Sequence, residues 1–142
     1  MANENQKQDM KTINVLMNSG YDYVQADVIK AKNNFKAQGI EVKLFKIWND
    51  GGISAICKED KKIKTEDLKF DVIFIDNYAG ALDEIIDFYK KIPNKNEVKA
   101  VYIDSHAPGL DEIGFEFLGS NIYDGKFDKI LAEYCKNKEE KH

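Results

Sequence analysis

The sequence DVIFID, residues 71 to 76, is an uninterrupted apolar run between two aspartates. A run of this kind is typical of a strand buried on both faces of a parallel sheet. In the segment that follows, Leu82, Ile85 and Tyr89 recur at helical spacing, and Pro93 ends the helix that this spacing predicts. A buried strand followed by an amphipathic helix is the repeating unit of an α/β fold.

The same alternation extends toward the N-terminus. Residues 13–17 are predicted to form a buried strand, and residues 24–35 a helix that ends at Gly39. Residues 40–48 alternate between apolar and polar types, which predicts a strand near a sheet edge. Residues 50–66 read as an insertion of unknown role, with a short strand or helical turn near its start.

Toward the C-terminus, residues 98–103 are predicted to form another buried strand, followed by a short helix over 110–118. A brief strand over 121–123 and a last helix over 127–134 complete the pattern. We therefore expect one doubly wound, flavodoxin-like α/β domain with a mostly parallel five-stranded sheet. It is predicted to occupy residues 11–136, between flexible tails at 1–10 and 137–142.

Composition excludes several classes of protein. Of 142 residues, 43% are hydrophobic and 32% charged, which is typical of a folded domain. The net charge of −4 argues against binding of nucleic acid, and no apolar stretch is long enough to cross a membrane. Cys57 and Cys135 form no disulfide or metal-binding pattern, and no secretory signal is visible at the start, so we expect a cytoplasmic location.

Polar residues follow each predicted strand, and the carboxyl ends of parallel strands meet at one edge of a sheet, where ligands bind. This rule places several candidate residues in one crevice, although polar residues are also common turn formers. The crevice candidates are Asn18, Ser19, Asp50, Asp76, Asp104, Ser105 and His106.

Three stretches resemble one protein family. FDVIFIDNYAGALDEIIDFYKKI, residues 70–92, resembles the third strand and following helix of response-regulator receiver domains. VKAVYIDSHA, residues 98–107, is similar to the fourth strand of that family. LGSNIYDGKFDKIL, residues 118–131, is similar to its Gly-Ala-x-x-Tyr-x-x-Lys-Pro-Phe segment, although the proline is missing here.

The resemblance implies a role for five residues. Asp76 matches the aspartate that accepts a phosphoryl group, and Ser105 matches the hydroxyl that switches toward that group. Lys126 matches the lysine that pairs with phosphoryl oxygens. Tyr123, or Tyr102 on the fourth strand itself, would relay the change to the surface.

The sequence departs from the receiver pattern at the end of the first strand. Receivers carry a pair of acidic residues there that hold Mg²⁺, whereas this chain has Asn18 and Ser19. Mg²⁺ is usually bound through one or two carboxylates, so a magnesium site would depend on Asp76, and the sequence leaves the identity of any cofactor open. This difference favours a pseudo-receiver over efficient magnesium-dependent phosphorylation.

The predicted function is therefore that of a stand-alone signalling or adaptor domain that binds a partner protein and could form a homodimer, an interpretation that favours binding over enzymatic activity without deciding between them. The contact surface expected for a receiver-like fold includes Tyr102, Tyr123 and the helix over 126–135. A second hypothesis is a small enzyme or nucleotide-binding protein that uses the same crevice. In that hypothesis Asp50, Asp76, Asp104 and His106 supply acid–base groups, because clustered carboxylates raise one another's pKa.

Overall fold

A computed structural model describes residues 11–18, 22–55, 62–63, 69–77, 80–93, 95–119 and 126–140. In this part of the chain the strands are β1 (Lys11–Met17), β2 (Ile40–Ile47), β3 (Ile53–Ala55), β4 (Lys62–Ile63), β5 (Val72–Asp76), β6 (Lys99–Ile103) and β7 (Glu116–Phe117). The α-helices are α1 (Asp22–Lys36), α2 (Leu82–Lys91), α3 (Pro108–Glu112) and α4 (Lys126–Glu140), and a 3₁₀ turn covers Lys95–Glu97.

The strands form one sheet in the order β4-β3-β2-β1-β5-β6-β7. The five strands from β2 to β7 in this order are parallel, whereas β3 and β4 are antiparallel to their neighbours. The prediction of a mostly parallel α/β sheet is confirmed. The predicted count of five strands is wrong because β3 and β4, two or three residues long, are too short to show a pattern.

Both faces of the sheet are covered, which explains the continuous apolar run in β5. Val72 and Phe74 pack on one face with residues from α1 and α4. Ile73 and Ile75 pack on the other face with residues from α2 and α3. Because successive side chains of a strand point to opposite faces, a strand buried on both sides must be apolar throughout.

Strand β2 lies inside the sheet, so its predicted edge position is wrong. It pairs with β1 on one side and with β3 on the other. Its burial still alternates in its first half, where Glu41 and Lys43 are exposed and Val42 is buried. The antiparallel strands β3 and β4, which come from the predicted insertion, supply the neighbour that the sequence did not reveal.

The predicted helix over 110–118 is also wrong in its extent. Helix α3 ends at Glu112, and the chain passes through Gly114, whose φ of 108° favours glycine. Phe115 then enters the core, and β7 follows as the last parallel strand. The strand predicted over 121–123 lies outside the described residues. Helix α4 runs to Glu140, beyond the predicted domain end at residue 136.

A hydrogen-bonded cluster holds the amino edge of the sheet. Asp71, just before β5, accepts a bond from the Tyr134 hydroxyl on α4 (2.6 Å) and another from the Asn14 backbone N–H on β1 (2.8 Å). Burial, together with the charge of Asp71, raises the pKa of Tyr134. This first aspartate of the DVIFID run therefore ties α4 to the sheet, at the edge opposite Asp76.

Candidate functional site

Asp76 ends β5 at the carboxyl edge of the sheet and is only 1% exposed. Its backbone N–H donates to the Asn18 side-chain oxygen (2.8 Å), and its carbonyl accepts from the Asn18 amide nitrogen (3.0 Å). The same amide nitrogen lies 3.3 Å from the Gly80 carbonyl oxygen, where α2 approaches. Asn18, itself 2% exposed, therefore uses its side chain to join the ends of β1 and β5.

The carboxyl group of Asp76 is hydrogen-bonded to that of Asp104, which follows β6. Burial raises the pKa of Asp104 to about 7, and the hydrogen bond and negative charge of Asp76 add to this effect. Two carboxyl groups in contact cannot both ionise easily, so the contact with Asp76 favours the protonated form of Asp104. Asp76 is buried and Asp104 is partly exposed. The Asp104 carboxyl group is therefore the member of the pair that solvent or a ligand in the crevice can contact.

The backbone at Asp104 has a φ of 89°, in the left-handed region that most side chains avoid. Its N–H donates to the Gly119 carbonyl (3.0 Å), which fixes the chain direction after β6. This turn places the Asp104 side chain against Asp76 instead of continuing the alternation of the strand.

Asn77 connects the ends of β5 and β6. Its side-chain amide donates to the Ser105 carbonyl (2.9 Å) and lies 3.1 Å from the Ser105 hydroxyl oxygen, while its backbone N–H donates to the Ile103 carbonyl. The Ser105 hydroxyl thus contacts Asn77, and Asp104 is the residue beside Asp76. In the register of β5 and β6, Asp76 lies opposite Ile103, so the residues that follow, Asn77 and Asp104, come next to each other at the edge of the sheet.

Tyr102 and His106 belong to a separate cluster around α3. Tyr102 is fully buried, and its hydroxyl donates to the Asp111 carboxylate (2.8 Å) and accepts from the Ala107 N–H (3.0 Å). His106 is exposed and pairs with the same Asp111 carboxylate. The hydrogen bond from Tyr102, with a smaller contribution from His106, lowers the pKa of Asp111.

The structure does not bring every candidate to Asp76. Asp50 is exposed, and its carboxylate accepts a bond from the Gly52 N–H (2.9 Å), as expected of a turn residue. Lys126 is the first residue of α4 by its backbone, and its side chain lies outside the described part of the chain. Ser19 and Tyr123 are also outside the described residues.

Asn18 gives the site no acidic ligand where a receiver-type magnesium site carries its acidic pair. Burial and the hydrogen bond with Asp76 favour the protonated form of Asp104, whereas Mg²⁺ is usually held through ionised carboxylates. The Asn18 oxygen, the ligand that would replace the missing acidic pair, already accepts from the Asp76 N–H. The described residues hold no group of three or more His, Cys, Asp or Glu side chains positioned to bind a metal.

No protein-family model matches this sequence, and no curated protein or solved structure matches it either. The geometry of the site and the order of the strands are therefore the observations that bear on function. No helix in the described ranges has both the length and the apolar character that a membrane span requires.

Proposed function

We propose that this chain is a receiver-like signalling or adaptor domain that acts through contacts with a partner protein. In this proposal the fold is flavodoxin-like, and a proton shared by Asp76 and Asp104 occupies the place where a receiver holds Mg²⁺ and a phosphoryl group. The order of the five parallel strands, β2-β1-β5-β6-β7, is the doubly wound order in which ligands bind beside the first and third strands. Asp76 ends the third of these strands in chain order.

The observation that carries the proposal is the bridge that Asn18 forms to the backbone of Asp76. In a working receiver the end of the first strand offers carboxylates to a cation. Here the corresponding side chain, Asn18, is buried and bonded to main-chain groups, so it stabilises the crevice and offers no carboxylate to Mg²⁺. An aspartate in this environment is a poor phosphoryl acceptor, which favours a role in binding.

Incubation with acetyl phosphate and Mg²⁺, followed by intact mass spectrometry, tests the proposal. We expect the mass of the chain to stay unchanged. A phosphoryl adduct that forms readily and disappears in Asp76→Asn, but persists in the exposed-site control Asp87→Asn, would overturn it. Native electrophoresis of the same samples shows whether the variants remain folded, and peptide mapping places any adduct.

A small enzyme or ligand-binding protein is the second candidate, and one observation favours it. The Asp104 carboxyl is partly exposed at the crevice and its pKa is raised to about 7, which suits a general acid near neutral pH. His106, which the sequence grouped with these carboxyls, instead pairs with Asp111.

A thermal-shift screen with nucleotides, flavins and divalent metals separates the two candidates. Stabilisation by one ligand that is lost in Asp104→Asn and kept in Asp50→Asn would support the enzyme or binder. The adaptor proposal predicts no ligand with this pattern.

A further inference from the structure

A groove of about 570 Å³ runs between α2 and α3 on one face of the sheet. Asn77 lines the end of the groove nearest the carboxyl edge. Because the Asn77 amide is bonded to Ser105, the groove begins directly beside the ends of β5 and β6. It is therefore a surface that is continuous with the candidate site.

The groove has an apolar lining between its two helices. Leu82 and Ile86, one turn apart on α2, line one side, and Ala107 and Ile113, at the two ends of α3, line the other. All four side chains pack on the core but remain partly exposed. Covering neighbouring apolar surface of this kind is favourable, and a series of such side chains between two helices suits the apolar face of a third helix.

The α2 side of the groove also carries negative charge. Asp83 and Asp87 are both exposed and line the groove at helix positions i and i+4, so their carboxylates lie on the same side of α2. Two like charges at this spacing repel each other, and a cationic side chain placed between them would relieve the repulsion. Lys90, one turn further along the same side of the groove, is the only cation among the lining residues of this groove.

We propose that the groove between α2 and α3 docks a basic amphipathic helix of a partner protein, with apolar residues against the apolar lining and Lys or Arg beside Asp83 and Asp87. This inference rests on the proposed adaptor function and names its contact surface. It differs from the surface expected from the receiver resemblance, of which Tyr102 is buried in the structure. A partner seated here would contact Asn77, next to the carboxyl pair.

The test uses the full chain, labelled with ¹⁵N, and a synthetic helical peptide of Leu and Lys with one apolar face. We expect amide shifts to concentrate at Leu82, Ile86 and Ile113. Asp87→Lys should weaken binding about tenfold, because an attraction becomes a repulsion. Glu41→Lys, which makes the same charge change on the exposed side of β2, should alter the affinity by no more than about twofold.

A scrambled peptide of the same composition controls for the apolar face, and Ile86→Ser provides a second variant that leaves the charges unchanged. Amide dispersion in each spectrum shows that a variant is folded. Shifts that map elsewhere, equal weakening by Glu41→Lys, equal binding of the scrambled peptide, or no binding at about 1 mM peptide would each overturn the groove proposal.

The outcomes for the groove and for the proposed function are distinguishable. If the peptide binds the groove but Asp76 is readily phosphorylated, the pseudo-receiver proposal fails and the groove remains. If Asp76 is not phosphorylated but peptide binding does not depend on Asp87 and Ile86, the groove proposal is wrong and the proposed function still stands.

Discussion

Asp104 combines a left-handed backbone with a carboxyl group that contacts a second carboxyl. Each feature is unfavourable alone, and they are retained together at the carboxyl edge of the sheet, where α/β proteins bind ligands. Carboxyl pairs also occur at purely structural positions in proteins. What points to a binding site here is that Asn18, Asn77 and the Gly119 carbonyl hydrogen-bond to the backbone around the pair and hold it in place.

Stability should depend on the protonation of this residue. The pKa of Asp104 is about 7 in the folded chain and near its ordinary value of 3.8 in the unfolded chain, so the folded state binds the proton more tightly between these pH values. The free energy of unfolding should therefore decrease as the pH rises from about 4 to about 7. Urea denaturation across this range should show a smaller decrease in Asp104→Asn, whose amide does not ionise.

The matched control for this measurement is Asp87→Asn, because Asp87 is exposed on α2. Its pH dependence should follow that of the unmodified chain. Identical slopes for Asp104→Asn and the unmodified chain would show that the carboxyl pair does not hold a proton in this range.

The sequence predicted which residues lie at the strand ends, but not how their side chains pair. Asp76 and Asp104 both follow apolar runs, and parallel pairing alone brings such residues to one edge. The contacts of Asn18 and Asn77 depend on distances between strands and on rotamers, which residue spacing does not specify. The sequence therefore placed Asp76, Asp104 and Ser105 at one edge of the sheet, and the structure adds that Asp104 contacts Asp76 whereas the Ser105 hydroxyl contacts Asn77.

At the scale of elements, the Asn18 side chain acts as a clamp between β1 and β5. The described register of β1 and β5 ends at the pair of Met17 and Phe74, so beyond it the Asn18 side chain supplies the hydrogen bonds that a ladder would supply. This is where the parallel strands diverge and a crevice forms. The clamp keeps the ends of the two strands together through side-chain to main-chain hydrogen bonds.

Removing this clamp should destabilise the fold. Asn18→Ala leaves the N–H and carbonyl of Asp76 buried without their present partner, at a cost of about 2–4 kcal/mol in the free energy of unfolding. Urea denaturation measures this loss, and Asn33→Ala on the exposed side of α1 is the matched control with an expected change below about 0.5 kcal/mol. A loss below about 1 kcal/mol for Asn18→Ala would argue against the clamp.

The elements that the sequence predicted well are those with a long apolar pattern, namely β1, β2, β5, β6, α1, α2 and α4. Strand β7 was missed because its two residues lie within a segment that alternates like a helix. Its position follows from Gly114, which ends the α3 turn, and from Phe115, which inserts into the core. Such tertiary contacts override local propensity.

At the scale of the whole molecule, the sheet separates two cores. Phe127 on α4 belongs to one, and Ile85 on α2 belongs to the other. Among the described residues these side chains form two separate clusters on opposite faces of the sheet, so we expect each core to respond to mutation independently of the other.

Double mutants test this separation. Phe127→Leu and Ile85→Val should each cost about 1 kcal/mol of unfolding free energy, and their effects should add within about 0.5 kcal/mol. Phe127→Leu combined with Phe74→Leu is the contrasting pair, because these two rings lie on the same face with centroids 5.7 Å apart. Their effects should deviate from additivity by more than about 0.5 kcal/mol, and additive behaviour in both pairs would argue against the two-core description.

The left-handed backbone at position 104 also limits which amino acids can replace Asp104 during evolution. Glycine would suit the φ of 89° but has no carboxyl group, and asparagine would tolerate this φ but has no ionisable group. Glutamate keeps the acid but is less compatible with this backbone, because the tolerance of aspartate comes from its short side chain. Lineages that retain a proton-holding pair should therefore keep aspartate here, and those that lose it should drift first to asparagine or glycine.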